Sequence, residues 1–288
     1  MKKHRFAALL AAAILCVSAL TACSQNGGQT SNPNNTSNPD SGTSAQTEAP
    51  ADLLTQIQER GEIVVAMEGT WAPWTYHDES DQLVGYDVEV AQNIAQRLGV
   101  SVSFAEGEWD GLLAGLDSGR YDIMVNGVDI DEARSEKYDF SAPYAYNRTA
   151  VIVSGENDSI QSMEDLDGKS TANTLNSTYA NVAESYGAEV TGVDDFIQTI
   201  ELLNSGRIDA TLNAEVSYYN YMAQHPDANI KIACIDPATT QVAIPIRKGE
   251  ESAALVAAIN DALDEMAEDG TLTELSMKYF GTDISKDQ

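Results

Sequence analysis

LDSGRYDIMVN at residues 116–126 and LNSGRIDATLN at residues 203–213 share one frame, L-x-S-G-R-x-D-x-x-x-N, repeated after 87 positions. Each copy reads as the end of a helix, a Ser-Gly stop and a buried strand ending in Asn. Gly119 and Gly206 suit the left-handed residue that closes a helix, and Arg120 and Arg207 lead into the strands. The same offset sets Trp109 opposite Phe196, at the start of each preceding helix. Two similar helix–strand units imply two lobes. Ligands of open α/β sheets bind beyond the carboxyl ends of the strands, where Asn126 and Asn213 fall. A cleft between lobes is therefore the first functional expectation.

Outward from the repeat, strand and helix patterns alternate. Strands are expected at 62–67, 100–105, 121–125, 150–153, 170–174, 188–191, 208–212 and 230–233. Helices are expected at 87–98, 111–116, 178–186, 195–204, 215–224, 252–268 and 271–279. This alternation is that of an α/β protein. Two further segments, 145–153 and 239–246, read as crossings between lobes. The first lobe is then discontinuous, 51–147 plus 241–288, and encloses a continuous second lobe, 148–240. Two crossing strands make a hinge that can close around a ligand.

The N-terminus sets the compartment. Lys2, Lys3 and Arg5 precede an apolar stretch from Phe6 to Leu20, and Leu20-Thr21-Ala22-Cys23 closes it. About 15 apolar residues suit a signal peptide, whereas a membrane span needs ~20. The small residues before Cys23 resemble a bacterial lipobox, which implies cleavage of residues 1–22 and lipidation of Cys23. Residues 24–50 are rich in Ser, Asn, Thr, Gln, Gly and Pro, so they read as a disordered tether with a reach of ~30 Å. Cys16 leaves with the signal and Cys23 carries lipid. Cys234 alone remains, which excludes an intrachain disulfide and suggests a buried, inert thiol. No Cys/His cluster has metal-ligand spacing, so neither a metal nor another cofactor is expected. His77 and His225 fall among loop-forming residues and read as surface histidines. The net charge of −29, from 45 acidic against 16 basic residues, argues against nucleic-acid partners and against a polybasic membrane surface.

The segment VNGVDIDEARSEKYDFSAPY, residues 125–144, is similar to the signature of solute-binding proteins of polar-amino-acid ABC transporters. WAPWTYHDESDQLVGYDVEVAQNIAQRLG (71–99), WDGLLAGL (109–116) and TLTELSMKYFG (271–281) fit the same family. TANTLNSTYANVAESYGAEV (171–190) and RIDATLNAEVSYYNYMAQHP (207–226) look most like its cystine-binding branch. The resemblance implies a two-lobed periplasmic-binding-protein-like fold with two crossing hinge strands. It also implies a monomer that captures an amino acid outside the cytoplasmic membrane and hands it to an ABC permease with its ATPase, performing no chemistry itself.

The resemblance assigns residues as well. Arg134 stands at the family's carboxylate-binding arginine, whose planar guanidinium can bind a carboxylate bidentately. A surface ion pair with Asp129, Asp131 or Glu132 is the structural alternative. Asn176, Ser177 and Thr178 open a helix whose N-terminal amides face the same carboxylate; N-capping is compatible with that role. Many relatives carry Asp at the position of Ala214, where it binds the α-ammonium, and Thr at the position of Asp129. Here the carboxylate has moved, so Asp129 is expected to supply the counter-charge, with Glu215 the competing candidate. Trp71 and Trp109 occupy aromatic pocket positions, Trp74 reads as structural, and Glu68 matches a position that reads the side chain. Gly127 lets its backbone approach the ligand or makes a turn, and Asn126 and Asn213 line the cleft or cap loops. Two other functions fit the same fold. One is an enzyme like the cyclohexadienyl dehydratases, and the other is a ligand sensor docking to a receptor.

Overall fold

In the computed structural model, which describes residues 52–287, the chain begins with α1 (Leu53–Arg60), β1 (Glu62–Met67) and three short strands, β2 (Thr70–Trp71), β3 (Thr75–His77) and β4 (Leu83–Val84). Then come α2 (Tyr86–Leu98), β5 (Ser101–Glu106), α3 (Trp109–Asp117), β6 (Ile123–Met124), α4 (Glu132–Lys137), β7 (Tyr138–Phe140) and the long β8 (Ala145–Ser154). The second lobe continues with β9 (Ser170–Asn173), α5 (Thr178–Ser185), β10 (Glu189–Gly192), α6 (Phe196–Asn204), β11 (Ala210–Ala214), α7 (Glu215–Gln224) and β12 (Ile230–Val242). The chain returns through β13 (Pro245–Arg247) and finishes with α8 (Ala253–Glu268) and α9 (Thr271–Phe280). The expected signal peptide, lipidated Cys23 and tether lie outside the described residues.

Two sheets carry the lobes. One has the order β5-β1-β6-β13-β7 and the other β10-β9-β11-β8-β12. In the first, β1 pairs in parallel with both β5 and β6. Its residues alternate between two packed faces: Ile63, Val65 and Met67 join the main core, while Ala66 joins a separate cluster with Trp109, Leu112, Leu116 and Met124. Burial on both faces explains why this strand reads as a continuous apolar run. The small sheet β2-β3-β4 folds Trp71 and Trp74 over the end of β1.

The repeat is a structural one. Helices α3 and α6 begin at Trp109 and Phe196, as the offset requires. Gly119 and Gly206 follow them at φ +74 and +67, a conformation glycine adopts without a Cβ penalty. Arg120 and Arg207 then donate their backbone N–H groups back to Gly115 and Leu202. The repeated Asp has one job in both copies. Asp122 accepts from the Val64 N–H at 2.7 Å, and Asp209 from the Ser170 N–H at 2.9 Å. Each carboxylate thereby ties its strand to the parallel neighbour, β1 or β9.

The first crossing falls within one residue of the expected 145–153, and the second is the end of a longer strand. β8 runs unbroken from Ala145 to Ser154, and β12 merges the expected strand at 230–233 with the start of the second crossing. The two pair antiparallel along their length, Val242 opposite Ala145 and Thr240 opposite Asn147, with bulges between Ile232 and Cys234 and between Ile235 and Thr239. Helix α1, helix α4 and the three-stranded sheet were not expected. Cys234 is half-buried rather than enclosed. It contacts the Met163 sulfur at 3.8 Å, and burial pushes its thiol up to about 11.

Candidate functional site

Where β1 and β6 end in one lobe and β9 and β11 end in the other, side chains from both enclose a cavity of about 50 Å³. The first lobe contributes Glu68, Thr70, Trp71, Trp109, Gly127 and Asp129. The second contributes Asn173, Thr174, Ser177, Thr178, Tyr179, Asp195, Phe196, Thr199 and Asn213. The lobes touch directly across it. The Trp71 indole donates to Asn213 Oδ1 at 3.1 Å, and its ring meets Tyr179 edge-on. Asn176 Nδ2 donates to Asp110 Oδ1 at 3.0 Å.

Arg134 is the hub of the closed face. Asp131 caps α4 by accepting the Arg134 N–H at 2.7 Å, and its second oxygen lies 3.3 Å from Nε. The guanidinium donates through Nη1 to the Asp129 carbonyl (2.9 Å) and Thr178 Oγ1 (3.0 Å), and through Nη2 to the Asn176 carbonyl (3.1 Å). It also lies 5.2 Å from the centre of the Trp109 ring. The side chain is held from both lobes at once. Asn176 reaches it because it takes φ +61, a left-handed turn that Asn tolerates. Ser177 caps α5, its Oγ accepting from the Ala180 N–H at 3.2 Å.

The cavity's unsatisfied groups are informative. Asp129 is buried, and its Oδ1 has no hydrogen-bond partner. Burial raises its pKa, opposed by the Thr240 and Thr178 hydroxyls and by Arg134. Such an atom is costly unless something donates to it. Glu68 is held by a reciprocal pair with Asn126, whose Oδ1 accepts the Glu68 N–H and whose Nδ2 donates to Oε2, both at 2.8 Å. Burial pushes the Glu68 carboxyl up to about 7, the Asn126 bond opposes this, and Glu108 and Asp195 add to it.

Gly127 is required by close approach. At φ +55, a Cβ there would meet the Trp71 ring at 2.6 Å. Its N–H is held at 2.6 Å by Asp87, a fully buried carboxylate that also accepts from the Tyr144 hydroxyl at 2.8 Å. Desolvation lifts Asp87 to about 7. Trp74 lies buried beneath Trp71, stacked at 5.4 Å, and packs on Phe280 without lining the cavity.

Of the expected site residues, the structure brings Glu68, Trp71, Trp109, Gly127, Asp129, Ser177, Thr178 and Asn213 onto the cavity. Asn126 stands behind Glu68. Arg134 and Asn176 border an adjoining groove of about 440 Å³, separated from the cavity by Asp129 and Thr178. Glu215 departs from expectation. It faces the back of the hinge, paired at 2.6 Å with Arg148 of β8. Sequence reasoning missed Thr70, Asn173, Thr174, Tyr179, Asp195 and Thr199 as lining residues. Phe196 carried a signal, because the repeat set it opposite Trp109. Asp195 carried one too, as the cap of the same helix.

Residues 63–282 match the model of bacterial extracellular solute-binding proteins, family 3. The chain belongs to that family. The binding protein is 38% identical to the L-cystine-binding protein TcyA of Bacillus subtilis (strain 168), over 99% of this chain and all of that one. It resembles the structure of an ancestral arginine-binding protein bound to arginine, at 38% identity and TM-score 0.72, over 77% of this chain and 99% of that one. It also resembles the L-cystine solute receptor of Neisseria gonorrhoeae in the unliganded open conformation, at 36% identity and TM-score 0.57, over 82% of this chain and all of that one. The better superposition on a liganded relative accords with the contacts that join the lobes here. Among the described residues, no helix is long and apolar enough to cross a membrane.

Proposed function

We propose that this binding protein captures a free amino acid, with cystine the leading candidate, between lobe 1 (51–147 plus 241–288) and lobe 2 (148–240), for import by an ABC permease and its ATPase. The observation that carries the reading is a buried carboxyl group on the inter-lobe cavity, Asp129, whose Oδ1 has no donor, with the buried Arg134 guanidinium directly behind it and held from both lobes. Arg134 takes the α-carboxylate, which replaces the neutral oxygens of Thr178 and Asn176 as a stronger, charged acceptor. The N-terminus of α5, at Ser177 and Thr178, faces the same carboxylate. Asp129 takes the α-ammonium, while Ala214 has no side-chain acceptor and Glu215 is engaged by Arg148. Trp71 and Trp109 pack the ligand's stem, and Asn126, Asn176 and Asn213 hold the surrounding walls. Because such a ligand contacts both lobes only when they are closed, it shifts the population toward closure. Lipid on Cys23 anchors the protein, as a monomer, to the outer face of the cytoplasmic membrane.

Cystine is supported by the ligand named for the Bacillus and Neisseria relatives. Calorimetric titration of the purified protein with cystine, arginine, glutamine, histidine and glutamate tests the reading. Submicromolar binding of one, abolished by Arg134→Ala, is expected. A folded protein that binds none of them, or that instead turns over prephenate or arogenate, would overturn it in favour of chemistry in the cleft.

A further inference from the structure

An ammonium group donates in three directions, and one carboxylate cannot satisfy all of them. Asp129 meets it from the first lobe, so the second lobe has to offer an acceptor as well. Ala214 has none in its side chain. Two of the second lobe's lining residues are linked to Asp129: the Thr178 hydroxyl acts on its carboxyl, and the carboxyl acts on the Tyr179 hydroxyl. Thr178 Oγ1 already accepts from Arg134. The Tyr179 oxygen accepts from Asn147 Nδ2 at 3.1 Å and retains acceptor capacity. Burial and the nearby Asp129 keep this phenol protonated, and the Ala214 backbone acts on the same hydroxyl, which sets it between β11 and the first lobe.

The support for Tyr179 comes from the crossing strands. Asn147 is buried on β8, opposite Thr240 of β12. The Thr240 hydroxyl donates to the Asn147 carbonyl at 3.3 Å and acts on the Asp129 carboxyl. Asp129 bridges to Val242 of the same strand, and Ile130 donates its N–H to the Gln241 carbonyl at 2.8 Å. One rung of the crossing pair therefore carries both sides, with Thr240 serving Asp129 and Asn147 serving Tyr179. Asn147 Oδ1 has no donor. Turned over, the amide would accept the phenolic proton and leave the tyrosine lone pairs to a ligand.

We infer that Tyr179 is the second lobe's ligand to the α-ammonium, its hydroxyl oxygen accepting from the group that Asp129 holds from the first lobe, and that Asn147 is the positioning residue that aims it. This rests on the amino-acid reading above and deepens it. The ammonium is then shared between lobes at the rung where the chain crosses from one to the other.

Ligand pairs that differ only in the α-ammonium test this by calorimetry, with weak members measured by competition. Cystine is compared with 3,3′-dithiodipropionate, arginine with 5-guanidinopentanoate, and glutamine with glutaramate. In at least one pair the amino acid is expected to bind wild type about tenfold tighter or more, the scale of a charged hydrogen bond. Tyr179→Phe keeps the ring that meets Trp71 edge-on and removes the oxygen. It should weaken the amino acid about tenfold and leave its counterpart within about twofold, so the ratio shrinks. Asn147→Ala should shrink the ratio in the same direction. In the Tyr179→Phe background it should add less than about twofold, because no hydroxyl remains to be aimed. Melting curves establish that each variant is folded, and either variant alone reads the ratio. A ratio unchanged by Tyr179→Phe, or amino acid and counterpart weakened together, would overturn the inference and leave the amino-acid reading intact. An Asn147→Ala effect as large in the Tyr179→Phe background as in wild type would remove Asn147 from it. A wild-type ratio near one in every pair would overturn it together with the role of Asp129. A wild-type protein that binds none of the three amino acids would overturn both the inference and the reading beneath it.

Discussion

Asp129→Asn separates charge from shape at the ammonium position. The substitution keeps an acceptor oxygen of nearly the same reach and removes one negative charge from a buried site. Arg134 keeps its hydrogen bond, because the guanidinium donates to the backbone carbonyl of residue 129, and loses only the charge of the nearby carboxylate. A hydrogen bond to a charged group is worth about 1.5–3 kcal/mol, against about 0.5–1.5 for a neutral one. The difference, roughly 1–2 kcal/mol, corresponds to a loss of about 5- to 30-fold in affinity. Stability should move the other way. Burial raises the Asp129 pKa, so the folded protein holds its proton more tightly than the unfolded chain does. An acid shifted in that sense makes the ligand-free protein lose stability as pH rises from the unfolded carboxylate value through the folded one. Asn removes that part of the slope, and the variant should melt no lower than wild type at neutral pH. Calorimetry gives the affinity, and thermal unfolding without ligand at pH 5 and pH 8 gives the slope. Affinity within twofold of wild type, or a fall in affinity matched by a fall in melting temperature, would refute the assignment of Asp129 to the ammonium.

Three further outcomes follow from single contacts. Asp87→Ala leaves the Gly127 N–H and the Tyr144 hydroxyl buried without a partner, so it should cost about 2–5 kcal/mol in urea unfolding. Asp87→Asn, which can accept from one and donate to the other, should cost less. It should also flatten the fall in wild-type stability between pH 4 and about 7 that a raised carboxyl produces. Gly127→Ala drives a Cβ into the Trp71 ring from a positive-φ position; ligand affinity should drop more than about tenfold with a shift in tryptophan emission. Arg148→Ala breaks a pair whose arginine side chain is 48% exposed, so it should cost under about 1 kcal/mol and leave ligand affinity within about twofold. A larger effect on affinity would return Glu215 to the ligand's neighbourhood.

What could be read from the chain, and what could not, divides along physical lines. The repeat was legible because local rules write it: a helix stop, an αL glycine, and an Asp that binds the N–H of the next strand. The family segments placed Arg134, Asp129 and Thr178, and the structure brings them within hydrogen-bonding reach of one another. The first hinge strand was read to within one residue, but the second was not seen to continue the strand at 230–233. Crossing strands such as β8 and β12 are stabilised by pairing with each other, at register positions that sequence periodicity does not encode. Glu215 was expected beside the ligand as the competing partner of the ammonium. Its actual partner, Arg148, lies on a strand far away in sequence, and only the pairing of β8 with β11, which sets Thr149 opposite Ala214, brings the two together.

The same blindness hid the far half of the cavity. Asn173, Thr174, Asp195 and Thr199 carry ordinary local roles, as strand end, loop and helix cap, and nothing in their spacing marks them as a binding wall. They become one because the second lobe folds against Glu68 and Thr70 of the first. If the proposed head-group contacts hold, they lie in contiguous motifs, whereas the rest of the cavity wall is set by which strand ends the hinge brings together. Overall identity to a cystine-binding and to an arginine-binding relative is equal, 38% in each case, so identity alone does not choose between those ligands.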